Sequence, residues 1–128
     1  MQSDPQRRAD GARKIDEILG QTPDQVEQSL GDVAPQLANY VLETIYGEIY
    51  QSPTLDSRTR QIVTVAALAT LGTATPQLRT HIGGALRCGV TRDELIEIMM
   101  QLVPYVGVAA AINGVAACRE VFATADKK

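Results

Sequence analysis

Between Asp56 and Ala123 apolar side chains recur three and four residues apart, in runs bounded by residues that start or stop helices. Nowhere does the chain alternate apolar and polar positions between turn residues, as a half-buried strand requires. The spacing predicts an all-α protein, a bundle of about six to seven helices. Asp56 is placed to cap a helix from Ser57 to about Leu71, and Gly72 to Thr75 forms the turn after it. Pro76 opens the next helix and Gly89 stops it. Thr91-Arg-Asp-Glu94 is a capping box for a helix whose core face is Leu95, Ile98, Met99 and Leu102, with Glu94 and Glu97 toward solvent. A last helix is expected from about Val106 to Ala123, small-faced along Gly107, Ala110, Ala111 and Gly114.

Upstream, Ser3 to Leu19 reads as an exposed helix with Ile15, Ile18 and Leu19 as its apolar stripe and Gly20 as its end. Thr22-Pro23-Asp24 caps a brief helix through Leu30, and Gly31-Asp32 breaks it. A helix from Pro35 to Tyr50 would bury Leu37, Tyr40, Val41, Ile45 and Ile49, with Tyr46 and Tyr50 on a second stripe. At 128 residues the chain fits one domain, with residues 1–30 as a helical extension and 124–128 as a frayed tail.

Without Trp and with Phe122 as its single Phe, the chain must build its core from Leu, Ile, Val and Ala. A net charge of -3 and a pI near 5.1 weigh against nucleic acid, which needs a basic face. Cys88 and Cys118 form no Cys-x-x-Cys pattern, so reduced, mostly buried thiols in a cytoplasmic protein are expected. The charged stretch from Gln2 to Lys14 carries no signal-peptide pattern. Ile98 to Cys118 is uncharged and long enough to span a bilayer. It nevertheless holds Gln101, Pro104 and Asn113 and is rich in Ala and Gly, so it reads as two buried helical pieces broken near Pro104, with no membrane partner.

His81 is the only histidine. On a helix it shares a face with Leu78, Ile82, Ala85 and Leu86, and Gly83 and Gly84 leave room beside it. Spacing alone leaves two readings open, a hydrogen-bonded core residue or an acid/base group. Gly83-Gly84 lacks the strand, spacing and Lys of a phosphate loop. One His with scattered carboxylates offers no familiar metal-ligand spacing, and no Ser stands in a nucleophile turn.

With helix order and residues in place, the chain resembles the carboxymuconolactone decarboxylase family. The segments that carry the likeness are Tyr46-Gly-Glu-Ile-Tyr50, Leu55 to Ala66, Gln77 to Leu95, Tyr105 to Ala110 and Arg119-Glu-Val-Phe122. The resemblance implies an alkylhydroperoxidase-like helical fold and rings of three or six subunits with sites near subunit contacts. A peroxidase branch of the wider superfamily uses a Cys pair and a Glu. Those positions fall here on Ala74, Gln77 and Gln61, and without the thiols there is no thiol–disulfide exchange. The decarboxylase branch is therefore the expected one: a lyase without cofactor or metal, converting 4-carboxymuconolactone or a related carboxylated lactone to 3-oxoadipate enol-lactone and CO2 in aromatic catabolism (the β-ketoadipate pathway).

Such a reaction must hold a dianion, steady a dienolate oxygen and deliver a proton to carbon. His81 suits proton delivery near neutral pH. Arg58 and Arg60, at the start of a helix, suit carboxylates, although charged residues there are also commonly solvated or ion-paired. Tyr105, Tyr46 or Asn113 could donate to the oxyanion, and packing or a subunit contact competes with that role. Glu48 is expected to pair with an arginine. The family's Pro after Gly-x falls on Ala109, and the small wall beside His81 is a second departure, so a related substrate stays open. The alternative in another class is a non-catalytic homo-oligomer that binds a small acid or a partner, with a structural histidine.

Overall fold

The computed structural model describes residues 4–127; Ser3, Met1, Gln2 and Lys128 lie outside the described residues. Among those described, the chain is all-helical, with seven α-helices and no strand. It divides into two compact units, one ending at Leu55 and the other starting at Asp56.

The first unit holds α1 (Pro5–Leu19), α2 (Pro23–Val26) and α3 (Pro35–Asn39). Asp4 caps α1 by accepting from the Gln6 and Arg7 amides, and Gly20 closes it at φ 67° with its N–H on the Asp16 carbonyl. Thr22 and Gln25 form a reciprocal capping box on α2. Ile15 and Ile18 of the expected stripe are buried, and so is Gly11, while Leu19 is only half-buried. A Cβ at Gly11 would overlap the Leu42 carbonyl, so only glycine lets the two backbones approach this closely.

α2 and α3 both continue into wide, π-helical turns, Glu27–Gly31 and Tyr40–Ile45. The widening is visible in the Tyr46 amide, which donates to the carbonyl of Val41, five residues back, at 3.1 Å. Each wide turn inserts a residue and shifts the buried face. Ala38, Leu42, Glu43 and Tyr46 are therefore inside, whereas Leu37, Tyr40 and Ile49, expected in the core, are 49%, 44% and 51% exposed. The helix expected to Tyr50 also breaks earlier, and a short 3-10 turn follows at Ile49–Gln51. Tyr46 and Tyr50 do meet, edge to face at 4.8 Å between centroids. Glu48 pairs with Arg7, as expected of it.

The second unit packs α4 (Ser57–Leu71), α5 (Thr75–Arg87), α6 (Arg92–Val106) and α7 (Val108–Asp126) around one core. Val65 and Ala69 of α4, Leu78, Ile82 and Ala85 of α5, Leu95 and Met99 of α6, and Ala117 and Cys118 of α7 fill it. The caps fall where the sequence puts them. Asp56 accepts from the Thr59 amide at 2.8 Å, and Thr91 and Glu94 exchange both bonds of their box, at 3.0 and 2.9 Å. After α5 the Gly89 and Val90 amides return to the Leu86 and Ala85 carbonyls, with Gly89 at φ 92°.

α6 runs through Pro104 and stops at Gly107. The Pro sits in the last turn, and the chain reverses only where a glycine supplies φ 91°, ψ 164°. α7 is the one helix among the described residues long and apolar enough to cross a bilayer. It is less buried than expected: Ala111, Gly114, Ala117 and Cys118 face inward, whereas Val108 and Ile112 are 60% and 61% exposed. The helix runs to Asp126, which takes both Arg92 guanidinium nitrogens, and Phe122 lies under the same cation.

Candidate functional site

α4 and α5 pack side by side and bring Gln61 and His81 together. Gln61 heads the stripe Gln61, Val65, Ala69, which is the buried face of α4. His81 stands one turn from Leu78 and beside Ile82 and Ala85, the buried face of α5. The Nδ1 atom of His81 lies 2.9 Å from Oε1 of Gln61. With the amide oxygen as the facing atom, the contact fits the tautomer that carries its proton on Nδ1 and its lone pair on Nε2. Burial pushes the imidazole below its ordinary pKa of 6.5, which favours the neutral ring. Beside it, a Cβ on Gly83 would meet open space, while Gly84 is buried.

Gln61 is fully buried, and its Nε2 has no hydrogen-bond partner among the described residues. The residues alone pointed to it only as the place where a superfamily Glu would fall. A sharper signal was available: a polar residue four and eight positions before Val65 and Ala69 on an otherwise apolar stripe.

Arg58 is engaged by Glu94 across α4 and α6. That Glu is held twice, by the Arg58 guanidinium and by the Thr91 amide, and these bonds draw its carboxyl down to about 2. A ligand carboxylate at Arg58 would compete with this partner. Arg60 is half-buried on α4, and its carbonyl accepts from the Thr64 hydroxyl at 2.8 Å. Tyr105 is 76% exposed near the end of α6, and Asn113 is exposed on α7. Neither hydrogen-bonds to the Gln61–His81 pair. Tyr46 is a buried residue of the first unit, against Tyr50.

Two hollows flank the pair's unit. One, of about 390 Å³, lies between α4 and α6 and is lined by Ile62, Ala66, Ile98 and Leu102 together with Glu94. The other, of about 660 Å³, lies between α6 and α7 and is lined by Met100, Val103, Val108, Ile112 and Val115 with Arg119. His81 lines neither. Among the described residues no three of His, Cys, Asp and Glu converge as metal ligands. Cys88 and Cys118 form no disulfide, and burial pushes the Cys118 thiol up to about 11.

The helices that carry the Gln61–His81 pair lie inside a segment, residues 35–120, that matches the model of the carboxymuconolactone decarboxylase family. The chain belongs to that family. Among its relatives is a 4-carboxymuconolactone decarboxylase of Acinetobacter baylyi, 31% identical over 121 residues, which span 94% of this chain and 90% of the relative. An uncharacterised 15.0 kDa protein of Paracoccus denitrificans is 28% identical over 102 residues, covering 79% of this chain and 76% of that one. Family membership extends from α3 into α7, so both Gln61 and His81 belong to the family's own segment.

Proposed function

We propose that this protein is a cofactor-independent carboxy-lyase that decarboxylates 4-carboxymuconolactone or a related carboxylated lactone, with His81 as the acid/base group. The observation that carries the reading is the Gln61–His81 contact, a neutral imidazole with a free Nε2 inside the family segment. The named Acinetobacter relative supports the substrate class.

Loss of CO2 leaves an electron pair spread through the ring alkene onto the lactone carbonyl. A dianionic ligand beside His81 favours the imidazolium, because a neighbouring negative charge stabilises the cationic ring. Nε2 then takes a proton from solvent and gives it to the carbon, and the ring returns to neutral. Arg60, or Arg58 released from Glu94, supplies a fork for a carboxylate. Tyr105 and Asn113 are assigned to the oxyanion in an assembly where another subunit covers them.

Thiol-dependent peroxide turnover lies outside this reading, because Ala74 and Gln77 occupy the cysteine positions and the Cys118 thiol is buried. Its appearance would contradict the proposal. The direct test is CO2 release from 4-carboxymuconolactone in the presence of a chelator, with enol-lactone formed in equal amount. Saturable binding of the lactone without turnover would favour the non-catalytic small-acid binder instead, a role that a neutral, hydrogen-bonded histidine also fits.

A further inference from the structure

We infer that Gln61 is a positioning residue: its carbonyl oxygen holds the Nδ1–H of His81 and reserves Nε2 as the nitrogen that exchanges the proton. The assignment of Nε2 to a reaction rests on the decarboxylase reading; the orientation of the ring does not.

Three observations carry it. The first is the contact itself, 2.9 Å between Nδ1 and Oε1 across the α4–α5 packing. The second is the state of the amide. Gln61 is fully buried and its Nε2 has no partner among the described residues, which is a cost that a leucine or methionine of similar volume would not carry. Packing alone therefore does not explain an amide at the head of the Gln61–Val65–Ala69 stripe. The third is chemical. An amide oxygen accepts from Nδ1–H whether the ring is neutral or cationic, so it supports both ends of a proton-transfer cycle. The reversed amide would aim N–H groups at a ring that becomes a double donor when charged, and would oppose that step. A carboxylate at position 61 would favour the cation; the neutral amide orients the ring without holding its proton.

Nitrogen-15 NMR of the imidazole tests this in the intact protein. The wild-type ring at neutral pH should be the Nδ1–H tautomer. Gln61→Met should convert it to a mixture of tautomers while the helical circular dichroism and melting cooperativity persist. On the lactone, the same variant should lose about tenfold or more in kcat, with KM changed less, as expected when an orienting acceptor for a catalytic His is removed. Gln61→Glu, which keeps an acceptor at the same place, should keep Nδ1 protonated while shifting the ring toward the cation at a given pH. An Nε2–H tautomer in the wild type, or one unchanged by Gln61→Met, would overturn the inference. An Nδ1–H ring in a wild type that turns over no lactone would sink the decarboxylase reading alone.

Discussion

At the scale of the residue, His81 is the group to which the proposed decarboxylation assigns proton transfer. Its folded pKa is lowered by burial, so between that value and 6.5 the unfolded chain binds more protons than the folded one. Stability should therefore fall as pH drops below about 6.5. Urea midpoints at pH 7.5 and pH 5 would register the loss, and it should shrink in His81→Gln, which cannot titrate. An equal loss in both proteins would place the effect elsewhere. Glu94 is not a competing source in this window. Its carboxyl, drawn down to about 2 by Arg58 and the Thr91 amide, contributes stability that is lost only as pH falls from its ordinary 4.5 through about 2.

At the scale of the element, helix starts and stops were legible because each is a local exchange between neighbours. Asp56, Thr91, Gly20 and Gly89 do in the structure what their types imply. The phase of the helix after Pro35 was not legible. It depends on a wide turn at Tyr40–Ile45, packed on α1 with the Leu42 carbonyl against Gly11, and no local pattern announces that. The same long-range logic hid Gln61, whose meaning comes from a histidine on the next helix.

Two glycines test the helix approaches. Gly11→Ala would drive a methyl into the Leu42 backbone carbonyl, which cannot rotate away, and should cost about 2 kcal/mol or more. Gly114→Ala meets the buried Met99 side chain, which can repack, and should cost less, about 1 kcal/mol. Thermal or urea melts of the pair check the order; the reverse order would contradict the packing described.

At the scale of the whole molecule, the unexplained feature is exposed apolar surface. Val63, Leu71, Met100, Val108 and Ile112 are each more than half exposed on the α4–α7 unit. Arg119, Glu120 and Asp126 interrupt α7 with charge, two of them in ion pairs with Arg79 and Arg92, which suits a protein partner better than lipid. We propose a second copy of the chain as the partner of the apolar patch that Met100, Val108 and Ile112 form between α6 and α7. Light scattering should give a mass of several subunits, and Ile112→Glu should lower it toward one. A monomeric wild type would contradict this, and with it the placing of Tyr105 and Asn113 beside a neighbouring subunit's site.

Proton delivery by His81 is the central proposal. The most direct measurement is CO2 release from 4-carboxymuconolactone by the wild type and by His81→Ala, each verified as folded and equally oligomeric. Losing the acid/base group should reduce kcat by about 10²- to 10⁴-fold. A variant that keeps near-normal turnover would contradict the role given to His81.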